Sequence, residues 1–414
     1  MLGELFRRLR VDTRPFRQRD FRNLWLGQAV STIGAEIGVV AVPYQVYTLT
    51  HSTALVGLLG LASLIPLLVV PLIGGAIADA LDRRTVLLRT ETGMAFVAAL
   101  FLGNSLLAHP RVWLLFVLQG LAVAIFSLGR PALSSLTPRL VPDDQIAAAS
   151  ALSSVYNSLA AVGGPAVGGL LIAAAGVPWT YAIDLVTYVA SFVVIWLLPK
   201  LQPVGEVDRP SLSSILDGFR FLGGRQALLG IFAVDTAAMV FGMPTALFPA
   251  LALHSLGGNA ATVGFLYSAP YAGALVCSLA SGWTTHVRRQ GVAVTIAACT
   301  WGAAIAAFGF MTSLWPALVL LAVAGGADFF SAVLRSTMLL RATPDHLRGR
   351  LSGIEFAQVA SAPNLGDLEA GVLASLTSLR FSIVSGGLFC VVACIAAALA
   401  LPGFLKYDSH EPQT

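Results

Sequence analysis

Charge is the first thing this sequence has little of. Asp, Glu, Lys and Arg make up 11% of its 414 residues, against roughly 25% in an ordinary soluble domain. A soluble globule covers its surface with charge, so a chain this poor in it presents much of its surface to lipid. Cysteine is nearly as scarce, with four residues, and no disulfide framework can be read from them. Cys390 and Cys394 stand four apart on one helix face. Structural zinc uses four ligands, and the six histidines are scattered, so the cysteine pair reads as buried and apolar. No phosphate-cradling glycine loop, no cluster of metal ligands and no nucleophile–base constellation is present, which excludes the common enzyme classes. No cofactor is implied, and the basic balance needs no nucleic acid to explain it, as the placement of the charges shows.

Apolar residues are abundant, at 57% of the chain, and they fall into runs long enough to cross a hydrocarbon core of about 20 helical residues. The runs are 23–48, 54–78, 86–107, 113–137, 146–174, 179–199, 228–252, 261–285, 291–311, 316–339, 350–374 and 380–404. The first follows an arginine-rich stretch (Arg7, Arg8, Arg10, Arg14, Arg17, Arg19, Arg22). It is too long for a signal-peptide core and lacks a small-residue cleavage site, so it reads as a first helix entered from the cytoplasm. With the N-terminus inside, the outer loops carry only Arg111 and Arg380, and Arg130 and Arg335 lie within spans. Every other Lys and Arg is then cytoplasmic, as the positive-inside rule requires. One helix more or fewer would scramble this asymmetry. Trp25, Trp113, Trp179, Trp196, Trp283 and Trp315 fall near span ends, where an interfacial belt is expected.

The chain repeats itself at about half its length. Val56-Gly57-Leu58-Leu59 returns as Val263-Gly264-Phe265-Leu266, and Gly75 as Gly282. Pro142-Asp143 and Pro344-Asp345 open corresponding helices, where each Asp is placed to cap free backbone N–H groups. Gly164 and Gly169 correspond to Gly366 and Gly371. Six spans in each half, equally oriented, make a parallel repeat, for which the substrate site is expected between the halves near the bilayer midplane. The expected fold class is an all-α membrane protein of twelve transmembrane helices in two six-helix halves. Residues 1–22 form a basic cytoplasmic tail, 23–199 the first half, 200–227 a cytoplasmic linker, 228–404 the second half and 405–414 a C-terminal tail. Ser211 to Leu229 reads as an amphipathic segment on the membrane surface.

Two stretches carry a family resemblance. Gly75-Ala76-Ile77-Ala78-Asp79-Ala80-Leu81-Asp82-Arg83-Arg84 resembles the loop signature of the major facilitator superfamily, G-x-x-x-D-R-x-G-R-R/K, with Ala80 and Asp82 departing from it. The resemblance implies that Gly75, Asp79, Arg83 and Arg84 form a gating loop. In the fifth span, Ala160-Ala161-Val162-Gly163-Gly164-Pro165-Ala166-Val167-Gly168-Gly169 looks like the antiporter signature of superfamily exporters, with Gly164, Pro165, Gly168 and Gly169 intact. Physically, Pro165 removes a backbone donor and the glycines leave a flat face for close helix packing. Phe21-Arg22-Asn23-Leu24-Trp25-Leu26-Gly27-Gln28, Leu49-Thr50-His51-Ser52, Leu216-Asp217-Gly218-Phe219-Arg220-Phe221-Leu222 and Pro344 to Gly353 are similar to the branch of enterobactin-exporter-like and macrolide-efflux-like proteins. That resemblance covers nearly the whole chain. It implies a major facilitator fold and export of a siderophore or a drug by proton antiport across the bacterial inner membrane, with both termini cytoplasmic. The implied partners are a small molecule, protons and the bilayer, and the implied unit is a monomer. One departure stands out: the arginine expected three residues before Gln119-Gly120 is Phe116, so the usual arginine of the proton relay is missing.

A charge at the bilayer centre costs at least about 2.5–3.5 kcal/mol, so each one is a functional candidate. Glu36, Asp235, Asp328 and Asp367 sit deep in their spans and are the proton or substrate candidates. With no histidine placed mid-span, proton coupling rests on these acids. Arg130 and Arg335 occupy near-equivalent repeat positions; they bind an anionic substrate, pair with an acid, or snorkel to the inner interface. Asp328 and Arg335 share a helix face but are about 10 Å apart along the axis, which predicts no direct contact. Asp184, Glu355 and Glu369 lie nearer span ends and read as structural. Tyr44, Gln45, Tyr47, Tyr156, Asn157, Tyr267, Tyr271 and Asn364 are the polar and aromatic groups available to a cavity. The function expected is a secondary exporter of a siderophore or similar amphipathic molecule. A broad drug pump is the alternative within transport, and a non-transporting receptor of the same fold the alternative outside it.

Overall fold

Inside a bilayer no water is present to pair with the backbone, so helices that satisfy their own N–H and C=O groups are the available solution. A computed structural model of the chain describes residues 12–80, 82–198 and 220–408; the side chains of 71–80, 135, 285 and 346 lie outside the description. Twelve long helical segments run through it. The first half contains α1 (Arg19–Thr50), α2 (Thr53–Ala80), α3 (Arg83–Ser105), α4 (Val112–Leu136), α5 (Ile146–Ala175) and α6 (Val177–Trp196). The second contains α7 (Gln226–Ser255), α8 (Ala260–Leu279), α9 (Gln290–Phe308), α10 (Leu314–Ala342), α11 (Asp345–Leu376) and α12 (Leu379–Ala400). Eleven of these are long and apolar enough to cross a membrane. The remaining one, α11, has 32 residues and so has the length, but Glu355, Asp367 and Glu369 make it too polar to qualify on hydropathy. Residues 211–219 of the linker segment expected to be amphipathic lie outside the described residues, as do Arg7, Arg8 and Arg10.

The helix pairings repeat between the halves. In the first half α1 packs on α5 and α6, α2 on α4, and α3 on α4 and α6; in the second, α7 packs on α11 and α12, α8 on α10, and α9 on α10 and α12. The halves meet through two related pairs, α2 with α11 and α5 with α8. The repeated glycines of the sequence thus mark a repeated architecture. Turns are tight at the end remote from the termini: Gly176 alone joins α5 to α6 at φ 91, a left-handed conformation that suits a residue without Cβ.

Two helices are not continuous. α1 turns at Val40. α7 is regular only to Phe241; Gly242 to Pro244 break it, and it continues as a short 3-10 turn at Thr245–Leu247 before ending in a π turn at Leu251–Ser255. Pro244 and Pro249 lack the N–H groups that a regular helix needs there. The expected caps at the Pro-Asp turns are not made. Pro142-Asp143 and Pro344-Asp345 do stand at the starts of α5 and α11, but neither aspartate accepts a side-chain cap bond; Asp345 pairs with Arg348 at 2.8 Å instead. The basic side chain one turn on competes for the carboxylate, which still lies favourably at the positive end of the helix dipole.

Candidate functional site

The halves are held together by glycine. A Cβ added to Gly264 on α8 would lie 2.9 Å from Cα of Gly169 on α5, and one added to Gly169 would lie 2.8 Å from Cα of Gly264. At the related crossing, a Cβ on Gly57 of α2 would lie 3.1 Å from Cα of Gly371 on α11, and one on Gly371 would lie 2.9 Å from Cα of Gly57. Backbone meets backbone at both crossings, which only glycine permits. The Thr53 hydroxyl donates to the Gly371 carbonyl at 3.0 Å beside the second crossing. Both crossings sit toward the end of the molecule remote from the basic loops. At that end Tyr47 of α1 also packs edge-on against His254 of α7, with ring centroids 5.9 Å apart.

The antiporter-like glycines divide their faces. Gly164 and Gly168 press on the backbone of α1: a Cβ on Gly164 would be 2.9 Å from the carbonyl carbon of Glu36, and one on Gly168 3.1 Å from that of Ile37. Gly169, next along, turns to α8. Pro165 is buried within the helix. In the second half Gly366 takes the role of Gly164 and presses on α7, where its Cβ would be 3.0 Å from the Met243 side chain.

Between these contacts lies a cavity of about 290 Å³. Both halves wall it. Gly38, Val42, Phe101, Tyr181 and Asp184 contribute from the first; Thr245, Tyr267, Asn364 and Asp367 contribute from the second. Among the described residues its lining contains two carboxylates and no Lys, Arg or His. Phe116, where the family's arginine is expected, packs against the hydrophobic core.

The two cavity carboxylates differ in how they are held. Asp367 Oδ1 accepts from the Ala246 N–H at 2.8 Å and from the Thr245 hydroxyl, and Tyr267 donates to the Thr245 carbonyl at 3.1 Å. Asp367 therefore satisfies a backbone donor freed by the break in α7, and it pins that break to α11. Asp184 stands over Gly38, and its Oδ1 is buried with no hydrogen-bond partner. Its span-end position suggested a structural role; the structure puts it in the cavity wall instead. α6 begins at Val177, so Asp184 is two turns inside the helix.

Glu36, Asp328 and Tyr271 lie outside the cavity lining. Tyr271 on α8 is within electrostatic reach of Glu36 on α1, Asp328 on α10 and Asp367 on α11. Asp328 keeps 39% of its side chain accessible. Asp235 is elsewhere, buried in the second half, where it forms an ion pair with Arg335. Gln358 donates to Asp235 Oδ2 at 3.1 Å and also to Thr236 at 2.9 Å.

Arg335 reaches Asp328 as well, with Nη2 3.8 Å from Oδ1. This overturns the expectation that seven residues along α10 keep the two apart. Helical side chains lean toward the N-terminus of their helix, and the long arginine spans the two turns back to Asp328. It does not snorkel: Arg335 is 6% exposed. Its repeat counterpart Arg130 is exposed, with its guanidinium 5.5 Å from the centroid of Phe126.

One buried acid escaped the sequence reading. Glu91 on α3 is 7% exposed and accepts from Gln28 Nε2 at 3.0 Å, while its second oxygen has no partner. Eight residues of helix separate it from the start of α3, roughly 12 Å of rise; counting that rise would have placed it inside the membrane. Gln28 is the repeat counterpart of Asp235, so one helix position supplies the central polar contact in both halves.

Of the gating-loop residues, the side chains of Gly75 and Asp79 lie outside the described residues. Asp82 caps α3 by accepting from Thr85 N–H at 3.0 Å, and Arg84 donates to the carbonyls of Ile195 (3.3 Å) and Trp196 at the end of α6. The α2–α3 turn is thereby tied to its own half. Gln45 accepts from Tyr181 at 2.8 Å, and Tyr156 packs on Trp25, so the candidates Gln45 and Tyr156 serve packing.

Residues 12–413 match a protein family described as transmembrane secretion effector. Enterobactin exporter EntS of Shigella boydii serotype 4 (strain Sb227) is 32% identical over 402 residues, which cover 95% of this chain and 94% of that protein. The protein of the same name from Escherichia coli (strain SMS-3-5 / SECEC) is 31% identical over the same share of each chain. Among solved structures, a bacterial homologue of the human lysosomal transporter Spinster, inward-facing and unoccupied, superposes with a TM-score of 0.74 at 17% identity, over 95% of this chain and 99% of that one. The nucleoside transporter NupG superposes with a TM-score of 0.71 at 13% identity, over 94% and 99%. At these identities the structural likeness speaks for the fold.

Proposed function

Since this chain belongs to the transmembrane secretion effector family of major facilitator superfamily transporters, we propose that it exports a siderophore or similar amphipathic small molecule in exchange for protons. As a member of that family it is a multi-pass membrane transporter and not an enzyme. The observation that carries the siderophore reading is the full-length likeness to enterobactin exporters. The distribution of Lys and Arg supports placing the basic loops and both termini in the cytoplasm of a bacterial inner membrane. The cavity then stands toward the outer end, behind the two glycine crossings.

Alternating access supplies the mechanism. With the crossings closed, the outer end is shut and ligand enters from the cytoplasmic side. Rocking of the halves parts Gly57 from Gly371 and Gly169 from Gly264. These glycine contacts are backbone to backbone; the Thr53 bond to Gly371 and the Tyr47–His254 contact part with them. Protons load the acids exposed at the junction. Glu36, Asp328 and Asp367 around Tyr271 are the candidates on the ligand path, and Asp235 is neutralised by Arg335 away from it. The protein works as a monomer, with the proton gradient as its energy source and no cofactor.

The test uses purified protein in liposomes with a pH-sensitive dye inside and an imposed proton gradient. Siderophore-dependent proton flux, lost in Glu36→Gln or Asp328→Asn, supports antiport. Siderophore movement without proton flux, unaffected by either variant, overturns the coupling. The aromatic and aliphatic share of the cavity wall (Phe101, Tyr181, Tyr188, Tyr267, Val42) favours one further reading, a broad drug pump; transport of amphipathic drugs but not of siderophore would select it. Failure to carry any solute would select the receptor.

A further inference from the structure

We infer that Glu91 is a proton-binding site built into the interior of the first half, and that it exchanges its proton with the cavity by way of Tyr188 and Asp184. The inference rests on the antiport reading for one point only, that the proton held at Glu91 is among those exchanged for ligand.

Glu91 stands among neutral groups where α1, α3 and α6 meet. Gln28 of α1 donates to its Oε1 at 3.0 Å, and the Ser191 hydroxyl of α6 is close enough to act on it. A Cβ on Gly27 would lie 3.5 Å from Ser191 Oγ, which sets that hydroxyl against α1 beside Gln28. Ser191 is fully buried and Glu91 nearly so. Neither Glu91 Oε2 nor Ser191 Oγ has a hydrogen-bond partner. Unpaired buried polar atoms are costly, and an unpaired buried charge more so. A proton relieves both. It forms an O–H bond on Oε2, the carboxyl becomes neutral, the new O–H donates to Ser191 Oγ, and Oε1 keeps the bond from Gln28.

The second half answers the same problem differently. There Asp235, the repeat counterpart of Gln28, is neutralised by the fixed cation of Arg335. Among the described residues no Lys, Arg or His acts on Glu91, so the cation that neutralises it is one that can leave. Hard metal ions take about six or more oxygen ligands; two unpartnered oxygens suit a proton.

That proton has a way in and out. Tyr188 lies one turn before Ser191 on α6, and Glu91 and Asp184 both act on it. Glu91 also acts on Asp184 directly. Tyr188 and Asp184 both line the cavity. A phenol hydroxyl donates and accepts, so it can hand a proton from one carboxylate to the other. Glu36 of α1 is the further acid that acts on Tyr188. On α3 itself Arg83, Arg84 and Arg89 stand toward the cytoplasmic start, and Arg130, the one charged residue of α4, is exposed beside Phe126.

The experiment is infrared difference spectroscopy of the full-length protein in nanodiscs, stepping the pH with no ligand added. Wild type should show a protonated-carboxyl C=O band that grows as pH falls and shifts in D2O. Glu91→Gln should lose that band. Ser191→Ala should keep it at higher frequency, because the acceptor of the new O–H is gone; a purely structural Glu91 would give no such shift, and this variant carries the test if Glu91→Gln does not fold. Asp184→Asn should slow deuterium exchange of the band. A band unchanged in Glu91→Gln, unmoved in Ser191→Ala or indifferent to pH overturns the site. Loss of the band on adding sodium at constant pH assigns the site to a metal ion and overturns it too. Exchange as fast as wild type in Asp184→Asn overturns the route. In the liposome assay Glu91→Gln should move fewer protons per siderophore, and a wild-type ratio overturns its part in coupling. A pH-dependent Glu91 band in a wild type that shows no siderophore-dependent proton flux leaves the site standing and removes the antiport reading.

Discussion

Placing one methyl group at a glycine crossing should shift the whole transporter toward its outward-open form. A Cβ on Gly264 would meet Gly169 Cα at 2.9 Å, where carbon atoms prefer about 3.5–4.0 Å. Backbone offers no rotamer to relieve the clash, so the helices have to separate by roughly 0.6–1.1 Å. Overpacking of this kind costs about 1–3 kcal/mol, and the cost falls only on the state in which the crossing is closed. Gly264→Ala should therefore move the conformational equilibrium about 5–150-fold toward opening at that end. Gly57→Ala, whose Cβ would meet Gly371 Cα at 3.1 Å, should act in the same direction by the repeat. The two crossings share no residue, so the double variant should be near the sum of the singles. Gly163→Ala is the control, since nothing lies within 4 Å of its Cβ position. The assay is pulsed electron–electron spin resonance between labels at Ser52→Cys and Ser255→Cys, one in each half near that end, after replacing the partly accessible Cys277 and Cys299. A longer-distance population should grow in both glycine variants and not in the control. Unchanged distance distributions together with wild-type transport would refute the assignment of these glycines as the closing contacts.

The buried ion pair gives a second expectation. Arg335→Met strands Asp235 without its partner and should lower stability by about 3–5 kcal/mol, read as a fall in unfolding temperature in detergent; Asp235→Asn combined with Arg335→Met should recover most of it. Asp367→Ala removes the acceptor that holds Ala246 N–H and Thr245 to α11, at about 1–3 kcal/mol. Hydrogen exchange at 245–250 should accelerate there and stay near wild type in Asp367→Asn. Asp82→Ala deletes the cap of α3 and should cost about 0.5–2 kcal/mol; an unfolding temperature equal to wild type would show that the cap bond does not persist in solution.

Patterns that depend on position along the chain were readable in the sequence. The spans came from the spacing of apolar runs, and the repeated glycines pointed to positions that turn out to be the two crossings between halves. Contacts that depend on side-chain reach were not readable. Axial rise alone kept Asp328 and Arg335 apart, because it ignores the backward lean and length of an arginine. Asp184 looked peripheral by its place in the span, yet the cavity lies toward that end and Asp184 faces it. Glu91 is a short distance along the sequence from a basic turn but well inside the membrane along the helix. The bond from Asp367 to Ala246 has no sequence signal beyond Pro244 and Pro249, since which carboxylate answers a broken helix is decided by packing across the chain.

The polarity of α11 has a consequence for how the protein is made. Asp367 and Gln358 bond to α7 and Glu355 to Ser336 of α10, contacts that exist only after those helices are in place. Taken alone, a segment carrying Glu355, Asp367 and Glu369 loses about 2.5–3.5 kcal/mol for each charge near the centre of the bilayer, which offsets the gain from its apolar residues. The segment therefore enters the membrane as a passenger of its neighbours, paired with the apolar α10 and α12 as they leave the translocation channel. The last steps of biogenesis become cooperative: truncating the chain before residue 379 should leave α11 outside the membrane, although every residue of that helix is present.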